Sequence, residues 1–120
     1  MTHLSRKRTA IEIKYIRDAG SHNIGMFNYC EDIKFLEELT ESCFSNGLAI
    51  LFTTIDKLYT PPKKEMKPKN IANLELYNAF RVNGSLSGIL SLQTGEINKT
   101  ITLKGEYKLN WVKFDKNIMM

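Results

Sequence analysis

Residues Ala10-Ile11-Glu12-Ile13-Lys14-Tyr15-Ile16 alternate side-chain character at every step, and Leu48-Ala49-Ile50-Leu51-Phe52-Thr53-Thr54 is a nearly continuous apolar run. Period-two alternation marks a strand, and an apolar run of this length marks a strand covered on both faces. Between them, Ile33, Leu36, Leu39 or Thr40, and Cys43 recur at helical spacing, widened by Tyr29, Phe35 and Phe44. Strand, amphipathic helix and buried strand in this order specify a βαβ crossover with the two strands parallel. This order constrains the chain more than any other feature, because a parallel pair needs a helix across it.

Asn28 with Glu31 three residues on forms a loose capping box, which places the helix start there. Asn46-Gly47 supplies its stop. Glu31, Asp32, Glu37, Glu38 and Glu41 read as a cap and a solvated face. Arg17 to Gly25 is turn chemistry, and His22 within it reads as a surface residue. Asp56 to Asn70, with three prolines among lysines, reads as an extended loop. Ile71, Leu74, Tyr77 and Phe80 suggest a short helix closed near Asn83-Gly84. Leu86–Leu92, Thr100–Lys104 and Tyr107–Phe114 read as strands turning at Thr94-Gly95 and near Gly105, an antiparallel ribbon with Tyr107 and Trp111 in its packing.

The whole is one domain over residues 1–120, of α/β class, with a mixed sheet, a βαβ crossover and antiparallel C-terminal strands. No apolar run suits a membrane span and the N-terminus is too polar for a secretion signal, so a cytoplasmic protein is expected. Cys30 and Cys43 fall 13 residues apart on one expected helix, roughly 20 Å along its axis, which excludes a disulfide. Both read as small buried hydrophobes.

The net charge of +4 is uneven: residues 1–60 carry seven basic and eight acidic side chains, residues 61–120 ten and five. Arg6, Lys7 and Arg8, and Lys63, Lys64, Lys67 and Lys69, form basic clusters of the kind that release counterions on a polyanion. Glu12 and Lys14 share one strand face about 6.6 Å apart. A carboxylate and an amine so placed suit metal-assisted attack on a phosphodiester, or equally an ordinary charge pair. Glu-x-Lys recurs at Glu65-Met66-Lys67 and Glu106-Tyr107-Lys108, so the triplet by itself decides nothing.

The Ile-Glu-Ile-Lys-Tyr strand, the Asp32-Ile33-Lys34-x-Leu36-Glu37 helix, the Ala49-Ile50-Leu51 strand and, more loosely, Gly105-x-Tyr107-x-x-x-Trp111 together resemble the PD-(D/E)xK nuclease superfamily, without the N-terminal part of its restriction-endonuclease-like fold. The resemblance implies magnesium-dependent phosphodiester cleavage, with Glu12 and the Ile13 carbonyl on the metal and Lys14 serving the attacking water. Residues 1–11 hold no acid. The implied second carboxylate would then come from a partner chain or from Glu31, Asp32 or Asp56; otherwise the chain is an inactive relative. The competing expectation is a non-catalytic interaction module, a homo-oligomer joined through open sheet edges.

Overall fold

The computed structural model describes residues 7–17, 22–55, 58–59, 71–81 and 84–112. Its elements run β1 (Thr9–Ile16), α1 (His22–Ser42), β2 (Asn46–Thr53), α2 (Ile71–Phe80), β3 (Leu86–Thr94) and β4 (Ile97–Tyr107). β1 and β2 pair in parallel, Thr9 opposite Asn46 through Ile16 opposite Thr53, with α1 as the crossover. β3 and β4 form an antiparallel hairpin. The α/β class, the crossover and the antiparallel C-terminal strands are as expected. The four strands, however, are divided between two two-stranded sheets and not hydrogen-bonded into one mixed sheet.

α1 is the common support, packing against both sheets. Its buried stripe is Met26, Tyr29, Cys30, Ile33 and Leu36, of which the first four join Ile16, Leu76, Phe80, Leu86, Leu90, Leu92 and Leu103 around one core. The helix begins at His22, two turns before the expected cap, so Asn28 is an interior residue and the apparent turn residues 22–25 are helical. Tertiary packing overrides the turn propensity: Met26 and Phe27 are almost wholly buried and need the preceding turn to reach the core. Gly25 fits for a steric reason, since a Cβ there would lie 3.1 Å from Ile16 Cγ1.

At the other end α1 stops at Ser42, and Asn46 and Gly47 belong to β2 and not to a cap. The amides of Cys43 and Phe44 both donate to Leu39 O. Ser45 and Asn46 then donate to Arg8 O, which fixes the parallel register at its start. Phe35, Thr40 and Cys43 are exposed, so the expected stripe was too wide and too far toward the C-terminus. Cys30 is buried, whereas Cys43 is on the surface.

In α2, Leu76, Ala79 and Phe80 are buried and Tyr77 is half-buried beneath Arg81, 5.7 Å from its ring centroid. The side chains of Ile71 and Leu74, the 60–70 loop, Arg6 and Phe114 lie outside the described residues. The hairpin turns at Gly95-Glu96, with Gly95 at φ +55°. β4 is one strand through Gly105, with no turn there, and it ends at Tyr107; Lys108–Val112 are not strand. Register jumps between Ser87 opposite Glu106 and Gly88 opposite Leu103, which leaves Lys104 and Gly105 as two extra residues on β4. Gly88 takes φ +64° at this bulge, a conformation that favours glycine.

Candidate functional site

Strand alternation divides β1 as its sequence suggests, and the helix decides which face is covered. Ile16 lies in the core, and the Lys14 Nζ is 3.4 Å from Oδ2 of Asp32 on α1. Glu12, Lys14 and Ile16 therefore look toward α1, as do Gly47, Ala49 and Leu51 of β2, where a Cβ on Gly47 would meet Leu36 Cβ at 3.2 Å. Glu12 and Lys14 are half-buried. A second carboxylate, Asp32, stands beside the lysine, but it faces an ammonium. Glu12 makes no ion pair or hydrogen bond with a described residue.

Magnesium would want several oxygen ligands around one point. No group of three or more His, Cys, Asp or Glu side chains among the described residues could hold a metal ion. Around Glu12 and the Ile13 carbonyl, the nearest carboxylate described is Asp32, at which the Lys14 ammonium stands. Lys7 and Arg8 are exposed at the start of β1; Arg6, Lys63, Lys64, Lys67 and Lys69 lie outside the described residues.

The opposite face of the same sheet is apolar and open. Ile11, Ile13 and Tyr15 are 55%, 62% and 56% exposed, and opposite them Leu48 and Phe52 are 49% and 39% exposed, with Ile50 half-buried between. The pairs Ile11/Leu48, Ile13/Ile50 and Tyr15/Phe52 make a continuous surface without a charge. Parallel sheets ordinarily have both faces covered, and among the described residues this one has a single layer where two are usual. Solvent-facing residues in half-buried strands are normally polar, and the alternation here places the apolar set outward.

A second unanticipated feature joins α1 to the hairpin. Glu37, in the middle of the helix and only 9% exposed, accepts the Lys104 amide at 3.0 Å, the Gly105 amide at 2.7 Å and the Tyr107 hydroxyl at 2.6 Å. The carboxylate thus supplies what the bulge removes, since these two amides belong to the extra residues without β3 partners. Lys34 Nζ donates to Thr102 O at 2.9 Å one turn earlier, and Glu41 pairs with the Lys104 ammonium one turn later. Burial alone would raise the Glu37 pKa; the Tyr107 hydroxyl, the two amides and Lys34 more than offset it, and the net shift is downward. Gly105 is what lets Tyr107 fold back, because a Cβ there would sit 2.6 Å from the Tyr107 hydroxyl.

Tyr107 is pushed up to about 12 by burial and by its Glu37 partner. Tyr29, whose hydroxyl donates to Ala49 O at 2.8 Å, is also pushed up to about 12, by burial and then by Cys30 and Asp32. Both folded values exceed the ordinary 10.0, so their contribution to stability is present below pH 10 and is lost as pH rises through about 12. In an absorbance titration, Tyr29 and Tyr107 should ionise near the higher value, and Tyr29→Phe and Tyr107→Phe should each remove one step there. Ionisation of Tyr29 and Tyr107 near 10 in the folded protein would contradict both hydrogen bonds.

The charged residues of α1 read as a solvated face, and for Glu37 that expectation fails. Lys34, Glu37 and Glu41 lie on one stripe at helical spacing, and Gly105-x-Tyr107 is the complementary pattern in β4. Cys30 lies in the core, where burial, with Glu31 and Asp32 nearby, pushes its thiol up to about 12. No helix among the described residues is long and apolar enough to cross a membrane. No family model, curated protein or solved structure matches this chain, so the reading of its site rests on its own geometry.

Proposed function

We propose that this chain is a non-catalytic interaction module whose β1–β2 sheet docks another protein through its outer face. One observation carries the reading: five large apolar side chains of a parallel pair are 39–62% exposed on one uncharged surface. Large side chains offer on the order of 200 Å² each, so these leave roughly 500 Å² of apolar area together, the size of the largest patch on a typical isolated protein, which is often a functional one. Burial of that area is the driving force available, and the half-buried inner face anchors the sheet to α1 while it docks.

The test is the fluorescence of anilinonaphthalene sulfonate with dilute protein. Native protein should enhance the dye several-fold, and Ile13→Lys should abolish most of that gain. Its thermal midpoint should barely move, since Ile13 contributes little to the core. A monomeric native preparation that leaves the dye dark would sink the reading.

A second reading is supported by the Lys14–Asp32 pair, which brings a carboxylate from α1 to the strand that bears Glu12. On that reading the chain binds or cuts nucleic acid, with magnesium recruited together with the substrate phosphate. It requires magnesium-dependent plasmid nicking that both Glu12→Ala and Lys14→Ala remove. Equal residual nicking in the variants identifies a contaminant.

A further inference from the structure

The docking surface has a composition that suits one occupant. We infer that a second copy of this chain covers the outer face of β1–β2, the two sheets stacked face to face about a two-fold axis near Ile13 and Ile50. The inference rests on the docking reading above and names its partner.

Area is the first argument. Two such faces together remove roughly 1,000 Å² of surface from water, which reaches the lower bound for a specific protein interface without help from any other element. The pairing would be concentration-dependent and modest in affinity.

Shape is the second. Along the strands the three cross-strand pairs run aliphatic, aliphatic, aromatic: Ile11/Leu48, Ile13/Ile50, Tyr15/Phe52. A two-fold axis over the middle pair, lying between the sheets and perpendicular to the strands, lays the aliphatic end of each copy over the aromatic end of the other. An isologous interface needs this self-complementarity. Stacked sheets lie about 10 Å apart, which side chains of these sizes fill from both sides.

Charge then supplies a discriminating consequence. Lys7 and Arg8 precede β1 and Arg17 follows it, all exposed. The same two-fold axis brings the Arg17 end of one copy toward the Arg8 end of the other, so among the described residues like charges oppose each other at the rim. Salt screens that repulsion. Self-association should therefore tighten as salt rises, the reverse of the salt dependence of binding to a polyanion.

Sedimentation velocity over a range of protein concentrations, at low and high salt, tests this with the full chain. A monomer–dimer equilibrium is expected, several-fold tighter at high salt. Ile13→Lys and Leu48→Lys should each give a monomer, whereas Phe35→Lys, an exposed apolar residue of α1, should dimerise as the native chain does. Dye fluorescence per molecule should fall as the dimer forms. A native chain that stays monomeric yet binds dye through Ile13 overturns the second copy and leaves the docking surface standing. A monomer that binds no dye overturns both. A dimer indifferent to Ile13→Lys and Leu48→Lys places the contact elsewhere and overturns the inference.

Discussion

Replacement of Glu37 by alanine should cost about 3 kcal/mol of folding stability, a large effect for a polar residue on a helix otherwise lined with acids. The loss has a defined origin. Two backbone amides and a phenol converge on this carboxylate, and the amides come from the bulged residues of β4, which have no β3 partners to fall back on. Each buried donor left unsatisfied costs about 1–3 kcal/mol, and partial access of water to the vacated site keeps the total near the lower end of the sum. A domain of this size has on the order of 5–15 kcal/mol in all, so the variant should unfold at a markedly lower urea concentration.

Three comparisons isolate the mechanism. Glu37→Gln keeps an acceptor but loses the charge, and should cost about 1–2 kcal/mol. Glu38→Ala, at an exposed neighbour, should stay within about 0.5 kcal/mol. The pH profile supplies the third. Because the folded pKa of Glu37 lies below its unfolded value, its contribution is present above the ordinary carboxylate range near 4.3 and is lost as pH falls through the lower folded value. Glu37→Ala should lack that part of the acid slope. An alanine variant as stable as Glu38→Ala, with an unchanged acid limb, would show that the α1–β4 contact carries none of the fold's stability.

Glu37 also marks what the sequence can and cannot disclose. The crossover was legible because its two signals are periodic: the alternation at 10–16 and the apolar run at 48–54 leave little choice once a helix lies between them. The hairpin turn was legible at Gly95, where a positive φ suits glycine. The start of α1 was not, because His22-Asn23-Ile24-Gly25 resembles a turn locally and becomes helical only when Met26 and Phe27 enter the core. Alternation in β1 likewise names two faces without saying which one the helix covers. The half-buried charged face and the bare apolar face invert the usual arrangement, and only the packing of α1 shows it. A buried acid such as Glu37 has no signature within its own helix; its partners lie 67 to 70 residues away.

Phe80→Ala should be as damaging, at about 3–5 kcal/mol, and for a different reason. Phe80 is fully buried at the end of α2, where it meets Tyr29 of α1 edge-on, ring centroids 5.9 Å apart. Its carbonyl accepts the Trp111 indole N–H at 2.7 Å, and Trp111 in turn lies against Tyr59, 5.1 Å between centroids. One residue thus ties α1, α2 and the segment after β4. Truncation removes the transfer free energy of a large aromatic and leaves a cavity that the rest of the core fills only in part. The backbone carbonyl survives the substitution, but its position depends on the ring above it. Trp111 is the only tryptophan, so its emission reads that position directly. The expected result is a loss of denaturation midpoint together with a red-shifted native spectrum, while Phe80→Leu, which keeps most of the volume, should retain the native spectrum and cost about half as much or less. If Phe80→Ala unfolds with the native midpoint, the contact between α2 and α1 adds nothing to the core, and α1 is held by its packing against the two sheets without help from α2.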